Sequence, residues 1–353
     1  MRFLILAVMF FTLSDVFAEN RINTDAKLVK SITDTKLAKL IEENKQTELR
    51  NYLKKKIPTD AKNAALQLAV EKNRVKIARA LIDSGANINV QDENGITPLM
   101  AATLLNYPKM VEMLLISNAN NRIEDNNGDT ALIHSIRVNN MECFNILSGT
   151  YPEIDERKAR GKALFIAMKL GRIEMAKILV NDQLNPKGDI AKALILAARK
   201  EYIDVIKLLT EKGADVNATN SCGYTALMEA CNCGRTDIVK FLIGEGANVN
   251  AYQECGNTAL MFVIDNKNLG EEDCMNLVKL LIEYGANVNV RNKIGETALI
   301  QALKKRRFAT AKLLLNNGAD IWVKDRQGDY ALLLWIKNAF TIMRMKTPII
   351  QKH

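Results

Sequence analysis

Histidine is scarce in this chain of 353 residues, since it occurs only as His134 and as the terminal His353. The chain therefore has too few histidines for catalysis by histidine or for a histidine-rich metal site. The sequence also contains no H-E-x-x-H, P-loop, G-x-S-x-G or paired C-x-x-C pattern. We therefore predict a protein that is not an enzyme and that has no catalytic residue, cofactor or resident metal ion.

Aromatic residues and long apolar runs are also in short supply. Aromatics make up 6% of the residues while aliphatics dominate, which favours helix packed on helix over a β-sandwich. The apolar run at residues 3–13 is shorter than the roughly 18 residues that a membrane span needs. No later segment is longer, so we predict no stable membrane span.

The N-terminus has the pattern of a secretory signal peptide. Arg2 precedes the apolar run, and Val16 and Ala18 occupy the small-residue positions before a cleavage site. We predict cleavage after Ala18, with an uncleaved anchor as the alternative, and a flexible leader over residues 19–35. The mature chain is then periplasmic or secreted, and its richness in Lys, Asn and Ile is typical of an AT-rich bacterial genome.

Negative charge is in modest deficit. The formal net charge of +9 is spread along the chain, which suits acidic proteins, anionic membranes or nucleic acid. Export, and the lack of an aromatic stacking platform beside the charge, argue against nucleic acid. We predict a protein partner, no nucleic acid, and a monomer.

What the sequence has in abundance is internal repetition. Thr-Ala-Leu or Thr-Pro-Leu triplets place leucines at positions 99, 132, 227, 260 and 299, and weaker copies place them at 66, 164, 194 and 332. Five of the eight intervals are 33 residues. The pentapeptide GANVN, at 246–250 and 285–289, and its variants GADVN, GANIN and GADIW recur alongside. The period indicates an array of like structural units.

Each unit has the pattern of a helical hairpin followed by an extended turn. The threonine is placed to cap the first helix, and Pro98 takes a first helical position, where a missing N–H costs nothing. A second amphipathic helix such as IVKFLIGEG follows. Glycine ends it because glycine tolerates the left-handed conformation. One hairpin cannot bury its own apolar faces, so stacked copies bury them against each other.

These units resemble the ankyrin repeat. DENGITPLMAA at 92–102 and GADVNATN at 213–220 closely match that family's pattern, and the resemblance covers about residues 60–335. It implies an all-α ankyrin-repeat solenoid of eight to nine stacked helix-turn-helix units with β-hairpin connections, plus an N-terminal helical cap. The family's usual histidine after T-P-L is replaced by Met or Ile, so apolar packing replaces a polar link.

The implied organisation has five segments. They are a signal peptide at 1–18, a flexible leader at 19–35, an N-terminal helical cap at 36–60, ankyrin repeats at 61–328 and a C-terminal cap at 329–353. The stretch 150–190 is degenerate, so we expect helices there with irregular connections. The one interval of 39 residues indicates an insertion near 265–273, between the two helices of one repeat.

Cysteine is too sparse, at six residues, for a disulfide scaffold. Cys222 and Cys255 take the same position in neighbouring repeats. Elements stacked about 8–10 Å apart would hold them beyond the ~7 Å reach of a disulfide. A Cys233–Cys274 disulfide, or a small thiolate metal site near Cys231, is kept as an alternative.

The resemblance implies a partner-binding surface on the concave side, at the tips of the turns and the ends of the first helices, whose side chains are not needed for packing. The predicted partner-binding residues are Glu93, Asn94, Leu104, Leu105, Asn126, Asn127, Arg137, Ser221, Asn232, Glu254, Asp265, Lys293, Lys304, Lys305 and Arg326. The basic run at 304–307 is either a solvated turn or one rim of this surface, suited to an acidic partner. We expect His134 to be exposed or to face the groove, and the acidic residues to lie on solvent faces.

The predicted function is a non-enzymatic, exported scaffold for protein–protein interaction. Three alternatives stay open: a periplasmic redox or metal-binding accessory that uses the Cys231/Cys233/Cys274 region, a host-directed secreted effector, and a structural spacer between other proteins.

Overall fold

The computed structural model describes residues 35–149, 157–181 and 189–336. The predicted signal peptide, all but the last residue of the predicted leader, the connections at 150–156 and 182–188, and residues 337–353 of the predicted C-terminal cap lie outside the described residues.

The described residues form α-helices joined by short connections. In chain order the helices are α1 Thr35–Glu42, α2 Gln46–Tyr52, α3 Thr59–Glu71, α4 Val75–Asp83, α5 Pro98–Leu104, α6 Pro108–Ile116, α7 Ala131–Arg137, α8 Met141–Gly149, α9 Arg157–Lys169, α10 Ile173–Asn181, α11 Asp189–Lys200, α12 Ile203–Glu211, α13 Ala226–Asn232, α14 Thr236–Gly244, α15 Ala259–Asp265, α16 Glu271–Glu283, α17 Ala298–Lys304 and α18 Phe308–Asn316. Residues 331–336 are also helical.

Contacts divide the chain into two compact units, one ending at Ala159 and one starting at Arg160. In the first unit the helices α1, α3, α5 and α7 stack in order, and α2, α4, α6 and α8 stack beside them. In the second unit α11, α13, α15 and α17 stack in order, while α10 packs on α12 and α16 on α18. The predicted architecture of stacked helical hairpins is confirmed within each unit. The helices α9 and α10 lie in the degenerate stretch, where the sequence predicts helices.

The repeated threonine does what its position predicts in three of the five described copies. The hydroxyls of Thr97 and Thr225 each accept a hydrogen bond from the backbone N–H three residues on, at 3.2 Å. Thr297 does the same at 3.4 Å. Thr130 and Thr258 occupy the same cap position without a side-chain cap bond. Each capped helix then presents its leucine and alanine to the core.

The recurrence of GANVN has a direct structural cause. Its glycine ends the second helix in the left-handed region, with φ of 87° at Gly246, where a residue with a Cβ would be strained. Its last asparagine links consecutive repeats. Asn217 donates from Nδ2 to the carbonyl of Gly246 at 3.1 Å and accepts from the N–H of Asn248 at 2.7 Å. Asn250 and Asn289 make the same two bonds to the repeat that follows each.

The connections between repeats differ in one respect from the expected β-hairpins. In the described part of the chain they carry only two isolated antiparallel bridges, Tyr252–Thr258 and Lys324–Tyr330, and no strand. Side-chain amides instead link these connections from repeat to repeat, as at Asn217, Asn250 and Asn289, which explains why Asn recurs in this stretch.

The predicted insertion is confirmed between α15 and α16. The turn at 266–270 has five residues where the preceding repeat has three at 233–235, and α16 has 13 residues where α14 has nine. These additions account for the six extra residues in the interval. The buried guanidinium of Arg307, on the next repeat, holds the enlarged turn. It donates to the carbonyls of Ile264 at 2.9 Å, of Leu269 at 3.1 Å and of Asn266.

Candidate partner-binding surface

The tips of the turns are shaped by a side chain that closes each turn from within. In the turn of Asp92, the carboxylate Oδ1 accepts the backbone N–H groups of Asn94 and Ile96, both at 2.8 Å. Residues Asp125, Asn220, Asn292 and Asp325 close their turns in the same way. Because these bonds satisfy the turn internally, the two residues at its tip are left to point outward.

Neighbouring tips are joined by backbone hydrogen bonds. The N–H of Lys293 donates to the carbonyl of Cys255 at 2.8 Å, and the N–H of Glu254 to that of Cys222 at 3.1 Å. The tips therefore approach to hydrogen-bonding distance, closer than the helix spacing used to predict their separation. The predicted tip residues are all exposed; they are Glu93, Asn94, Asn126, Asn127, Ser221, Glu254, Lys293 and Arg326. Their role in partner binding stays a prediction.

The predicted residues at the ends of the first helices are less uniform. Asn232, Asp265 and Lys305 are exposed, whereas Leu104 and Leu105 are half-buried. Lys305 forms an ion pair with Asp265 of the preceding repeat. Arg137 is exposed and donates to Asp129 at 2.6 Å. Three charged residues predicted to be free for a partner, Arg137, Asp265 and Lys305, thus form ion pairs within the array.

Lys304 departs furthest from the prediction, because it is half-buried and serves as a bridge within the array. Its Nζ lies 2.6 Å from Asp325 and 2.9 Å from Glu296. Burial opposes its charge, but the hydrogen bonds to these two carboxylates outweigh burial and raise the pKa of Lys304. Burial likewise acts to raise the pKa of Asp325, but the bond from Lys304 prevails and lowers it.

The basic run at 304–307 is therefore not a single cationic rim. Lys304 and Lys305 are paired with carboxylates, and Arg307 is buried against the turn of the neighbouring repeat. Arg306 is exposed. Sequence reasoning grouped four consecutive charges that the helical geometry directs to different neighbours.

The expectation that His134 is exposed or faces the groove is wrong. The expectation that acidic residues lie on solvent faces is also wrong for four that are buried, namely Asp125, Asp129, Glu229 and Asp325. His134 is 7% exposed, and its Nε2 lies 3.0 Å from Oδ2 of Asp125, which is itself buried. A carboxylate can only accept here, so the ring carries its proton on Nε2. Burial lowers the pKa of His134 even though Asp125 acts to raise it, so the ring is neutral near pH 7.

One of these buried acids, Glu229, lies beneath a shallow cavity in the second unit. The side chain of Glu229 is 4% exposed, and Arg199 holds it through two hydrogen bonds of 2.5 and 3.2 Å. The hydrogen bonds to Glu229 raise the pKa of Arg199 against the effect of burial. The cavity, of about 410 Å³, is lined by Arg199, Asn220, Cys222, Tyr224, Glu229, Asn232 and Cys233.

Of the predicted partner-binding residues, Asn232 alone lines this cavity, and Cys233 belongs to the redox or metal-binding alternative. A usable signal was present: Arg199 stands five residues after the repeat leucine at 194, and Glu229 two after the next at 227. These offsets bring opposite charges on adjacent first helices face to face.

The cysteine alternative receives no support from the geometry. All six cysteines are free thiols, and the described residues contain no group of three or more His, Cys, Asp or Glu placed to hold a metal ion. Burial raises the pKa of the thiols of Cys231, Cys233 and Cys274. A redox or metal-binding thiol needs the opposite shift.

Among the described helices, none combines the length and apolar character required to cross a bilayer.

Stacked helical hairpins with closed, outward-pointing turns define a solenoid repeat protein, a class that uses extended surfaces to bind other proteins. The family model for ankyrin repeats in three copies matches residues 34–125, 66–158, 99–189, 149–220, 164–253, 194–275 and 227–325. These overlapping matches cover most of the sequence. The chain belongs to the ankyrin repeat family.

Curated relatives match over shorter stretches. The "Probable E3 ubiquitin-protein ligase XBOS33" of Oryza sativa subsp. japonica is 41% identical over 83 residues, 22% of this chain and 16% of that protein. The "E3 ubiquitin-protein ligase XBAT33" of Arabidopsis thaliana is 38% identical over 81 residues, 22% of this chain and 16% of that protein. The "Ankyrin repeat and SAM domain-containing protein 6" of Mus musculus is 35% identical over 94 residues, 25% of this chain and 10% of that protein. The chain thus spans a sixth or less of the length of these relatives.

Proposed function

We propose that this protein is a non-enzymatic, monomeric scaffold that binds a protein partner through its turn tips and first-helix ends. The observation that supports the proposal is that different residues of a turn close it and form its exposed tip. One buried or half-buried side chain closes the turn, as Asn292 does with bonds of 3.1 and 2.9 Å, so that exposed tip residues such as Lys293 have no packing role. A rigid backbone reduces the entropy lost on binding.

The ligase relatives do not extend the proposal to catalysis. Their match covers 16% of each ligase, and family membership accounts for that similarity without any shared activity.

The same proposal places the scaffold outside the cytoplasm, in the periplasm or beyond. The support is the signal-peptide pattern that ends at Ala18. We expect the mature protein to begin at Glu19, which N-terminal sequencing of the purified protein tests. An intact Met1 would contradict export by cleavage. Recovery of the protein from culture medium rather than the periplasmic fraction would favour the host-directed effector.

The binding surface is tested by site-specific photo-crosslinking in cells. A benzophenone side chain at position 221, where Ser221 is exposed on a tip, should trap a discrete partner. The matched control is position 279 on α16, where Lys279 is also exposed but lies on a second helix. Equal crosslinking at both positions, or none at the tip, would contradict the proposal and leave the spacer as the better function. Light scattering tests the monomer.

A further inference from the structure

In two of the described turns a single side chain fills the space to the next turn. It belongs to the residue just before the turn-closing side chain. In the turn that follows α4, this residue is Gln91. Its Nε2 donates to the carbonyl of Gly95 in its own turn at 2.8 Å and to the carbonyl of Glu124 in the next turn at 3.1 Å. A planar N–H group thus joins two backbone carbonyls that face the same cleft.

Arg291 fills the equivalent cleft in the second unit. Its Nε lies 3.4 Å from the carbonyl oxygen of Gly295, and its Nη2 donates to the carbonyl of Lys324 at 2.6 Å. The residue types differ, but the two acceptors occupy the same places as those of Gln91. The shared requirement is a flat side chain with two N–H donors.

The turn between α14 and α15 differs, because the residue at this position is Tyr252. This residue is 70% exposed. Among the described residues, none donates to the carbonyls of Gly256 or Arg291, which are the counterparts of the pair that Arg291 itself bridges one repeat later. A cleft of about 670 Å³ lies here, lined in part by Tyr252, Glu254, Gly256, Arg291 and Lys293.

The cleft has the same backbone frame as the filled ones. The N–H of Lys293 donates to the carbonyl of Cys255 at 2.8 Å, just as the N–H of Arg326 donates to that of Ile294 at 3.0 Å beside the filled cleft. The six-residue insertion does not alter this register because it lies between the helices. One repeat earlier the position is Thr219, whose side chain is too short to span, and Gly223 accordingly also lines the cleft.

The chemistry around the cleft suits a guanidinium. The carbonyl oxygens of Gly256 and Arg291 can accept its N–H groups, and the ring of Tyr252 has an aromatic face on which a guanidinium stacks. Glu254 has an exposed carboxylate at the rim of the cleft. Lys293 adds one positive charge at that rim. The guanidinium of Arg291 is directed away, since it is held by the carbonyls of Gly295 and Lys324.

We propose that this cleft receives the side chain of an arginine from the protein partner, which completes the bridge that Gln91 and Arg291 make within the chain. The inference rests on the proposed scaffold function and specifies the chemistry recognised at one of its turns. A partner segment carrying an exposed arginine docks its guanidinium against Tyr252 and donates to the carbonyls of Gly256 and Arg291.

The direct test is an NMR titration of the full mature chain with four short capped peptides that differ only in a central Arg, Lys, citrulline or Gln. The arginine peptide should shift the backbone amide signals of residues 253–256 and 290–293 saturably. The lysine peptide should bind about tenfold more weakly, because an ammonium loses one of two charged hydrogen bonds. Equal binding of the Arg and Lys peptides would show general charge attraction, and no shift at these residues would overturn the proposal.

Variants at Tyr252 separate the cleft from the rest of the surface. Tyr252→Arg and Tyr252→Gln supply the missing bridge from within and should abolish binding of the arginine peptide, while the urea midpoint stays unchanged or rises. Tyr252→Phe keeps the aromatic face and should bind within about twofold of the parent. Undiminished peptide binding by Tyr252→Arg would overturn the proposal.

Crosslinking distinguishes this inference from the function on which it rests. If Tyr252→Arg loses the partner trapped from position 221, the cleft and the scaffold are both supported. If the variant traps the partner as well as the parent does, the scaffold stands and the arginine cleft is wrong. If the parent traps nothing, the scaffold itself fails.

Discussion

Removal of the buried guanidinium of Arg307 tests whether long-range side-chain bonds hold the enlarged turn. The side chain of Arg307 is 11% exposed and donates to three carbonyls of the preceding repeat, those of Ile264, Asn266 and Leu269. Each hydrogen bond from a charged donor contributes about 1.5–3 kcal/mol. Water can replace part of this at the outer edge of the turn. We therefore expect Arg307→Ala to lower the free energy of unfolding by about 3–4 kcal/mol.

The neighbouring arginine provides a matched control. Arg306 is exposed, so Arg306→Ala deletes the same side-chain atoms at a position in contact with solvent. It should change the free energy of unfolding by less than about 0.5 kcal/mol. Arg307→Lys should recover less than half of the loss, because an ammonium cannot reach three carbonyls in fixed directions.

Urea unfolding followed by far-UV circular dichroism measures the difference. With a slope near 3 kcal/mol/M, Arg307→Ala should unfold at about 1 M lower urea than the parent. Hydrogen exchange should localise the change, with faster exchange of the amides of residues 264–270. If Arg307→Ala and Arg306→Ala unfold at the same urea concentration, the turn does not depend on these bonds and the reasoning is refuted.

Three further outcomes follow from the burial of charged and nucleophilic groups. Burial lowers the pKa of His134 from its ordinary 6.5, so the unfolded chain binds the proton first and stability is lost as pH falls below about 6.5 and through the lowered pKa. His134→Asn should therefore flatten that part of a pH series of urea midpoints. An unchanged slope would contradict this expectation. In native protein, iodoacetamide should modify the exposed thiols of Cys222 and Cys255 and spare the three buried cysteines until urea is added, as read by peptide mass spectrometry; equal labelling would refute the burial. Arg199→Ala leaves the carboxylate of Glu229 buried and unpaired and should cost about 2–4 kcal/mol, and adding Glu229→Gln should recover part of the loss in the same urea assay; no recovery would mean that the pair contributes through packing alone.

The repeat period and the unit fold were readable in the sequence because each is dictated locally. Glycine at the end of the second helix, as at Gly246, is required by a positive φ, and threonine at the start of the first helix is required by the free N–H groups there. These demands recur in the regular units, so the sequence there repeats the residues that meet them. The position of the insertion after α15 was predictable for the same reason, since it interrupts an otherwise regular period.

The outward-pointing tips were also predictable, whereas the roles of individual charges were not. Sequence placed Lys304 and Arg307 together on one turn and His134 on a variable face. Helix geometry and stacking instead direct Lys304 into the following repeat and Arg307 into the preceding one, while His134 is directed into the turn before its own helix. The partners of Lys304 and Arg307 lie 21 and 43 residues away in the sequence, and no local pattern indicates them.

The sequence by itself therefore determined the helical hairpin, its period and the exposure of its turn tips, because backbone conformation and apolar burial act over a few residues. Only the tertiary structure decided which polar side chains close the gaps between repeats and which gap Tyr252 leaves open, because a hydrogen bond depends on distance and direction between groups that only stacking brings together.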